Sequence, residues 1–414
     1  MNVHAEVAID GRDRQRLESS SDAEIVFRGT LAYGSAVHGA PWSTTGARPN
    51  GRSDGQYATT LNPTGLRGID FVELVSPDPE ALRQLLRAFG FSHTMSHAER
   101  AIDLYEQHDI TFLINREPNT FAAGFAHSHG PSICSMGWRV DEPRLAQRVA
   151  VERGAREQRR GDLQTLEGTP VPAIFGIGDS LIYFVHAARD PQRWAQLGFV
   201  ALSEPDQVAS KGFLRIDHLT NNVERGTMRR WASFYQDVFG FTQVRYFDIR
   251  GAKTGLTSFA LRSPDGSFCI PINETDEKKS QINEYLDDYR GPGIQHLAFL
   301  TDDILASLRA LDSSGIQTLD IDDAYYAEVF ERVPNVSEDH AEIHRRNVLV
   351  DGDAEGYLLQ IFTKNLIGPI FVEIIQRKNH LSFGEGNFGA LFRSIERVQA
   401  KRGVFDEPRQ PTSV

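Results

Sequence analysis

"RGIDFVEL" at residues 67–74 recurs in altered form as "LRIDHLTN" at 214–221. Each is a short apolar run with an aspartate in the same place. Each leads into an amphipathic helical stretch, "DPEALRQLLRAFGF" ending at Gly90 and "TMRRWASFYQDVFGF" ending at Gly240. A second pair follows, "GPSICSMGWRV" at 130–140 and "GPGIQHLAFLT" at 291–301, with helical "EPRLAQRVAVERGA" and "DILASLRALDSSGI" behind them. Self-similarity at this scale marks a duplicated unit. The chain therefore reads as an α+β protein of four βαβββ-like units, two per half. Strands in such units curl into an open β-barrel, and alternate residues line its pocket.

The bulk composition agrees. A chain of 414 residues suggests two domains of common size. Charged residues at 24% and hydrophobic ones at 40% describe a soluble globular protein. A net charge of −12 argues against nucleic acid or an anionic membrane as partner. No apolar run is long enough to span a bilayer, and the opening "MNVHAEVAIDGRDRQRLESSSDAE" lacks the apolar core of a signal peptide. Cys134 and Cys269 make no disulfide framework, which points to a reducing, cytoplasmic location. Residues 1–63 include "GAPWSTTGARPNGRSDGQYATTLNP", too poor in apolar periodicity to hold a core, and read as a flexible extension. The expected organisation is that extension, domains over 64–200 and 210–404, and a tail over 405–414.

The halves differ in one chemically meaningful way. His218 aligns with Phe71, and His296 with Ser135. A single histidine on an apolar strand is ordinarily a core residue whose ring nitrogens find backbone partners. Two of them, confined to one half and each just inside the opening strand of a unit, suggest ligands instead. A third candidate is Glu373 in "GPIFVEIIQR" at 368–377, where a buried carboxylate is costly unless paired or metal-bound. The spacing is even: 296 − 218 = 78 and 373 − 296 = 77. Two imidazoles and a carboxylate on three strands make the facial triad of non-haem Fe(II) enzymes, which leaves room for a bidentate 2-oxo acid and dioxygen.

With these motifs the sequence resembles the 4-hydroxyphenylpyruvate dioxygenases of the vicinal-oxygen-chelate superfamily. The resemblance runs from about Leu66 to Val404. It rests on "IDHLTNN", "PINETDEKKSQINEYL", "GPGIQHLAFLTDDI", "GYLLQIFTKN", "IFVEIIQR" and "FGEGNFGALFRSIE" together. It implies two tandem vicinal-oxygen-chelate domains, the first without metal and the second catalytic, with a C-terminal lid helix. It also implies Fe(II) on His218, His296 and Glu373, conversion of 4-hydroxyphenylpyruvate and O2 to homogentisate and CO2 in tyrosine catabolism, and a homo-oligomer, dimer or tetramer. The extension of some 60 residues is longer than expected of bacterial-type members. Two alternatives stay open: 4-hydroxymandelate synthase, with the same triad and substrate, and a non-catalytic small-ligand-binding protein of the superfamily. Phe362 and Asn273 favour the dioxygenase, because the sister enzymes tend to carry a smaller aliphatic residue at the first position and lack the second.

Period-two alternation adds a pocket. Phe371 shares a face with Glu373, Gln360 with Phe362, and Pro271 with Asn273. The resemblance implies substrate contacts at Ser258, Asn273, Gln281, Gln295, Gln360, Phe362, Phe371, Asn387 and Phe388, aromatic faces for a phenyl ring and neutral polar groups for a phenol and a keto acid. A regular pleat would point Gln295 away from His296; only the resemblance retains it.

Three motifs read as decoys. "GEGNFG" at 384–389 mimics a dinucleotide fingerprint but has no room after it for a βαβ unit. It reads as a loop feeding a helix with Phe388, Leu391, Phe392, Ile395 and Val398 on one face. "HAEIH" at 340–344 misplaces the glutamate of a zinc protease and reads as a solvated segment, and "HSHG" at 127–130 reads as a turn.

Overall fold

The helix Met228–Phe239 shows how one repeated element forms. Met228, Ala232, Tyr235, Val238 and Phe239 recur at helical spacing and are buried, while the opposite face carries charge. Gly240 ends it in the left-handed conformation at φ 80°, and a Cβ there would lie 2.3 Å from the carbonyl oxygen of Leu61. The helix Pro79–Ala88 is its counterpart, with Asp78 capping the Ala81 amide and Gly90 at φ 83°.

The computed structural model describes residues 28–29 and 61–405, apart from 160, 188–191 and 252. The flexible extension expected over 1–63 and the tail over 405–414 fall almost wholly outside the described residues. Two nine-stranded sheets hold the described strands. In the first half the order runs Ser92–His97, Ile102–Gln107, Ile110–Asn115, Leu66–Val75, Ser132–Val140, Leu181–His186, Ala173–Phe175, Glu157–Gln158, with Phe199–Asp206 on the outer edge. The second half repeats it as Thr242–Arg250, Gly255–Arg262, Cys269–Glu274, Phe213–Asn222, Gly293–Thr301, Phe371–Lys378, Tyr357–Phe362, Leu349–Gly352. Arg28–Gly29 pairs with the edge strand of this second sheet. The helices Asp323–Arg332 and His340–Arg345 interrupt the last unit.

The halves join through reciprocal aromatic packing. Trp138 of the first sheet lies against Tyr235, Phe239, Phe241 and Phe268 of the second half. Phe299, at the matching position of the second sheet, lies against Phe89, Phe91 and Phe112 of the first half. Fully burying an aromatic side chain of this size is worth about 1.5–3 kcal/mol, so this seam fixes the two sheets as one body.

Their opposite faces form two cups with different contents. In the first, the Phe71 ring lies over Gly137, where a Cβ would come within 2.1 Å of it. Tyr183, Trp194, Leu104 and Leu113 pack around it. That cup is filled with its own side chains. The second is open.

Candidate active site

Strand register builds the site. His218 pairs with Ala298, and Ala298 pairs with Glu373; one step along, Thr220 pairs with His296 and His296 with Phe371. Register partners across a sheet share a face, as do residues two apart on a strand. His218, His296 and Glu373 therefore share one face of three neighbouring strands, whose order is fixed by a parallel and an antiparallel pairing. In the first half the same rows read Phe71–Gly137–Tyr183 and Glu73–Ser135–Leu181.

The three ligand-type groups converge. Nε2 of His218 is 3.1 Å from Oε2 of Glu373, Nε2 of His296 is 3.4 Å from the same oxygen, and the two Nε2 atoms are 3.3 Å apart. Ligands about 2.1 Å from a metal and at right angles lie about 3 Å from one another, so this triangle has the dimensions of one face of an octahedron. Among the described residues it is the one group of three His, Cys, Asp or Glu side chains gathered closely enough to hold an ion. His218 and Glu373 are buried, and the His296 side chain is 12% exposed. Burial would raise the Glu373 carboxyl, but the His218 and His296 imidazoles outweigh it and hold it at about 2. Burial would lower His218, yet Glu373 and Asp217 push it up to about 9, whereas burial dominates at His296 and pulls it down. The carboxylate thus demands a cation beside it, which a divalent metal supplies with both imidazoles unprotonated.

The outward nitrogens of both histidines are also held. Nδ1 of His218 bonds Oδ1 of Asp217 at 2.9 Å, and Nδ1 of His296 bonds Oε1 of Gln295 at 3.1 Å. Both partners are sequence neighbours, which a regular pleat would place on the opposite face. The register explains it: pairing slips between Ile216 and His218 and again between Thr220 and Asn221, leaving Asp217 and Gln295 as the extra residues of two β-bulges. Such bulges re-aim side chains. The expectation from regular alternation for Gln295 is corrected accordingly.

The triad forms the floor of a cavity of about 640 Å³, open mouth included. Of the nine expected substrate contacts, Ser258, Asn273, Gln281, Gln295, Phe362, Phe371 and Phe388 line it. Ser258 and Asn273 are register partners, and Asn273 donates to Oδ1 of Asn222 at 3.2 Å. Gln360 and Asn387 do not line it. Gln360 is buried behind Phe362 with its amide against Gly384, where a Cβ would lie 2.3 Å from Nε2. Asn387 is wholly buried and accepts a hydrogen bond from the Tyr325 hydroxyl at 2.6 Å. Gln360 stands one layer back, under the loop that precedes the last helix, and Asn387 is the last residue of that loop.

Other lining residues escaped the sequence reading: Thr220, Phe247, Ile249, Leu256 and Phe383. Alternation carried a signal for three of them, since Phe247 and Ile249 share a face and Leu256 shares one with Ser258. The helix Phe388–Lys401 presents Phe388, Leu391, Phe392 and Ile395 to the cavity, but Val398 turns outward and is 38% exposed. Glu396 fastens this helix, accepting from the backbone amides of Lys253 and Thr254 at 2.9 and 3.0 Å.

The decoys resolve as follows. "GEGNFG" is a short 3-10 turn leading into the last helix. "HAEIH" lies on a surface helix where His344 bonds Asp323. "HSHG" is the last turn of the helix Phe121–His129 rather than a free turn, and His129 stacks on Tyr289 while its Nδ1 bonds the Tyr289 carbonyl.

Comparison with known proteins identifies the family. The signature described as hydroxyphenylpyruvate dioxygenase, N-terminal, matches residues 60–199, and that of the glyoxalase/bleomycin resistance protein/dioxygenase superfamily matches 215–344. A 4-hydroxyphenylpyruvate dioxygenase of Pseudomonas aeruginosa is 43% identical over 350 residues, covering 83% of this chain and 97% of the relative. The chain belongs to the 4-hydroxyphenylpyruvate dioxygenase family. Protein MelA of Shewanella colwelliana is 55% identical over 348 residues, 84% of this chain and 99% of that protein. Among solved structures, a triple mutant of 4-hydroxymandelate synthase from Streptomyces coelicolor superposes with a TM-score of 0.67 at 28% identity, covering 81% of this chain and 99% of its own. The fold is thus shared with a protein named for a different reaction. Both cups described above are its glyoxalase-type half-barrels. No described helix is long and apolar enough to cross a membrane.

Proposed function

We propose that this chain is a dioxygenase that converts 4-hydroxyphenylpyruvate and O2 to homogentisate and CO2, with Fe(II) held by His218, His296 and Glu373. The observation that carries the reading is the facial triangle of donor atoms in an aromatic cavity whose lining, among the described residues, includes no lysine or arginine. A 2-oxo acid entering that cavity meets no side-chain cation among the described residues, so its charge would be met by a metal held on His218, His296 and Glu373. Such a metal would supply Lewis acidity and the redox chemistry with O2.

The chain's own groups do the rest. His218 and His296 keep Nε2 directed inward because Asp217 and Gln295 occupy Nδ1. Phe362 and Phe371 stand beside His296, edge-on and stacked respectively, and offer faces that orient a phenyl ring. Ser258, Asn273 and Gln281 supply neutral hydrogen-bonding partners for a phenol. The last helix, fastened through Glu396, covers the cavity with Leu391, Phe392 and Ile395 and keeps water out.

The similarity to 4-hydroxymandelate synthase favours a second reading, benzylic hydroxylation of the same substrate. Phe362 argues against it, since a bulky face there presses the ring toward the metal. Identifying the product of the O2-dependent reaction by mass spectrometry separates the two. A third reading, ligand binding without turnover, predicts no O2 uptake at all. A soluble homo-oligomer in the cytoplasm is part of the same proposal.

A further inference from the structure

Arg377 lies four residues beyond Glu373 on the same strand, and therefore on the same face. Its side chain is 13% exposed and its guanidinium makes four hydrogen bonds. Nε and Nη2 grip both oxygens of Asp217 at 2.9 and 2.8 Å, while Nη1 donates to the carbonyls of His380 and Ser382 at 3.1 and 2.6 Å. Asp217 in turn holds Nδ1 of His218. Beyond Ser382 the chain places Phe383 edge-on to the His218 ring, 5.8 Å between centroids, and on the cavity wall. The last helix begins five residues later. One guanidinium thus grips the carboxylate that orients a ligand histidine and the loop that roofs it.

We propose that Arg377 is a positioning residue: through Asp217 it fixes the tautomer and rotation of His218, and through the His380 and Ser382 carbonyls it ties the roof of the cavity to that ligand. A planar fork is needed for this, because an ammonium cannot grip two carboxylate oxygens and two carbonyls at once. The proposal rests on the reading of His218 as a metal ligand.

The first half provides an internal control. Asp70 sits on the matching bulge, is buried, and pairs with Arg193, whose Nη2 lies 3.3 Å from Oδ1. Its neighbour is Phe71, so there an aspartate–arginine pair, with its arginine on the short helix Arg193–Gln196 instead of the matching strand, orients no ligand. If the pair only steadies the bulge, losing the fork should have the same consequences in both halves.

The test is titration of the full-length protein with Co(II), with the visible ligand-field spectrum recorded, in wild type, Arg377→Lys, Arg193→Lys and His218→Ala. Arg377→Lys is expected to weaken Co(II) binding about 10-fold or more and to shift the spectrum. With Fe(II), its kcat should fall more than its KM changes. Arg193→Lys should leave affinity and spectrum as in wild type. Asp217→Asn is the second variant should Arg377→Lys fail to fold; it keeps an acceptor for His218, weakens the grip of Arg377, and should move affinity the same way. Wild-type affinity and spectrum in a folded Arg377→Lys protein would overturn the proposal. Co(II) uptake that His218→Ala leaves untouched would instead overturn the metal reading beneath it.

Discussion

Asp217 hydrogen-bonds Nδ1 of His218, its own neighbour on the strand, at 2.9 Å. Neighbours on a regular strand point to opposite faces, so the contact exists only because the pairing with Gly293–Thr301 slips there by one residue. The first half carries the same two slips, at Asp70 and at Cys134. Duplication preserved the bulges, and the second half placed histidines beside them.

The ligand assignment predicts a sharp loss. His218→Ala or Glu373→Ala should abolish turnover and metal uptake while far-ultraviolet circular dichroism and gross stability stay near wild type. Chelation should do the same reversibly. Because the imidazoles bind metal unprotonated, and His218 in the metal-free site titrates at about 9, affinity should weaken as pH falls below that value. Wild-type activity in either variant would contradict the assignment.

Gly384 predicts a loop effect without touching the triad. Its φ of 77° disfavours any Cβ, by about 1–2 kcal/mol, and a Cβ there would strike the Gln360 amide. Gly384→Ala should therefore cost modest stability but a larger fraction of kcat, as the loop bearing Phe383 shifts. Thermal melts and steady-state kinetics on one preparation check it; unchanged kcat would show the loop has slack.

Glu73 predicts a pH dependence in the first half. It is 1% exposed, bonded by Ser135 and by Asn115, and burial raises its carboxyl above the ordinary 4.5. From about 4.5 upward the unfolded chain gives up this proton while the native state keeps it, so the native state binds more protons. Stability from this group therefore falls as pH climbs from 4.5 through the raised native value. Glu73→Gln, which can meet the same two partners, should match wild type near pH 4 and exceed its Tm at pH 8. A gap independent of pH would refute the argument.

How much of this was legible in the sequence depends on what local pattern encodes. The repeat was readable because its helices end in glycine and its strands carry a shared aspartate. His218, His296 and Glu373 stood out because each is a costly residue in an apolar strand. The bulges were not readable, since a register slip is a property of a strand pair, and with them went the roles of Asp217 and Arg377. Gln360 and Phe362 share a face by alternation, yet only Phe362 reaches the cavity. The loop at 382–387 covers Gln360, and its path is set by Arg377 and Tyr325 rather than by local sequence. Phe383 escaped for the same reason.

Phe362 tests how the cavity steers the reaction. It stands edge-on to His296 and to Phe371. A misplacement of about 1 Å can cost roughly 100-fold in rate, so shrinking this face to Phe362→Ile should let the ring tilt. Part of the product should then appear as 4-hydroxymandelate. Homogentisate alone, at an undiminished rate, would make Phe362 a packing residue.

The central claim is the reaction itself. Iron-loaded protein incubated with 4-hydroxyphenylpyruvate under 18O2, with products separated and weighed by mass spectrometry, tests it directly. The account predicts homogentisate as the main product, one equivalent of CO2 per substrate, label in the product, and none of this with His218→Ala. 4-Hydroxymandelate as the main wild-type product, or substrate bound without O2 uptake, would contradict it.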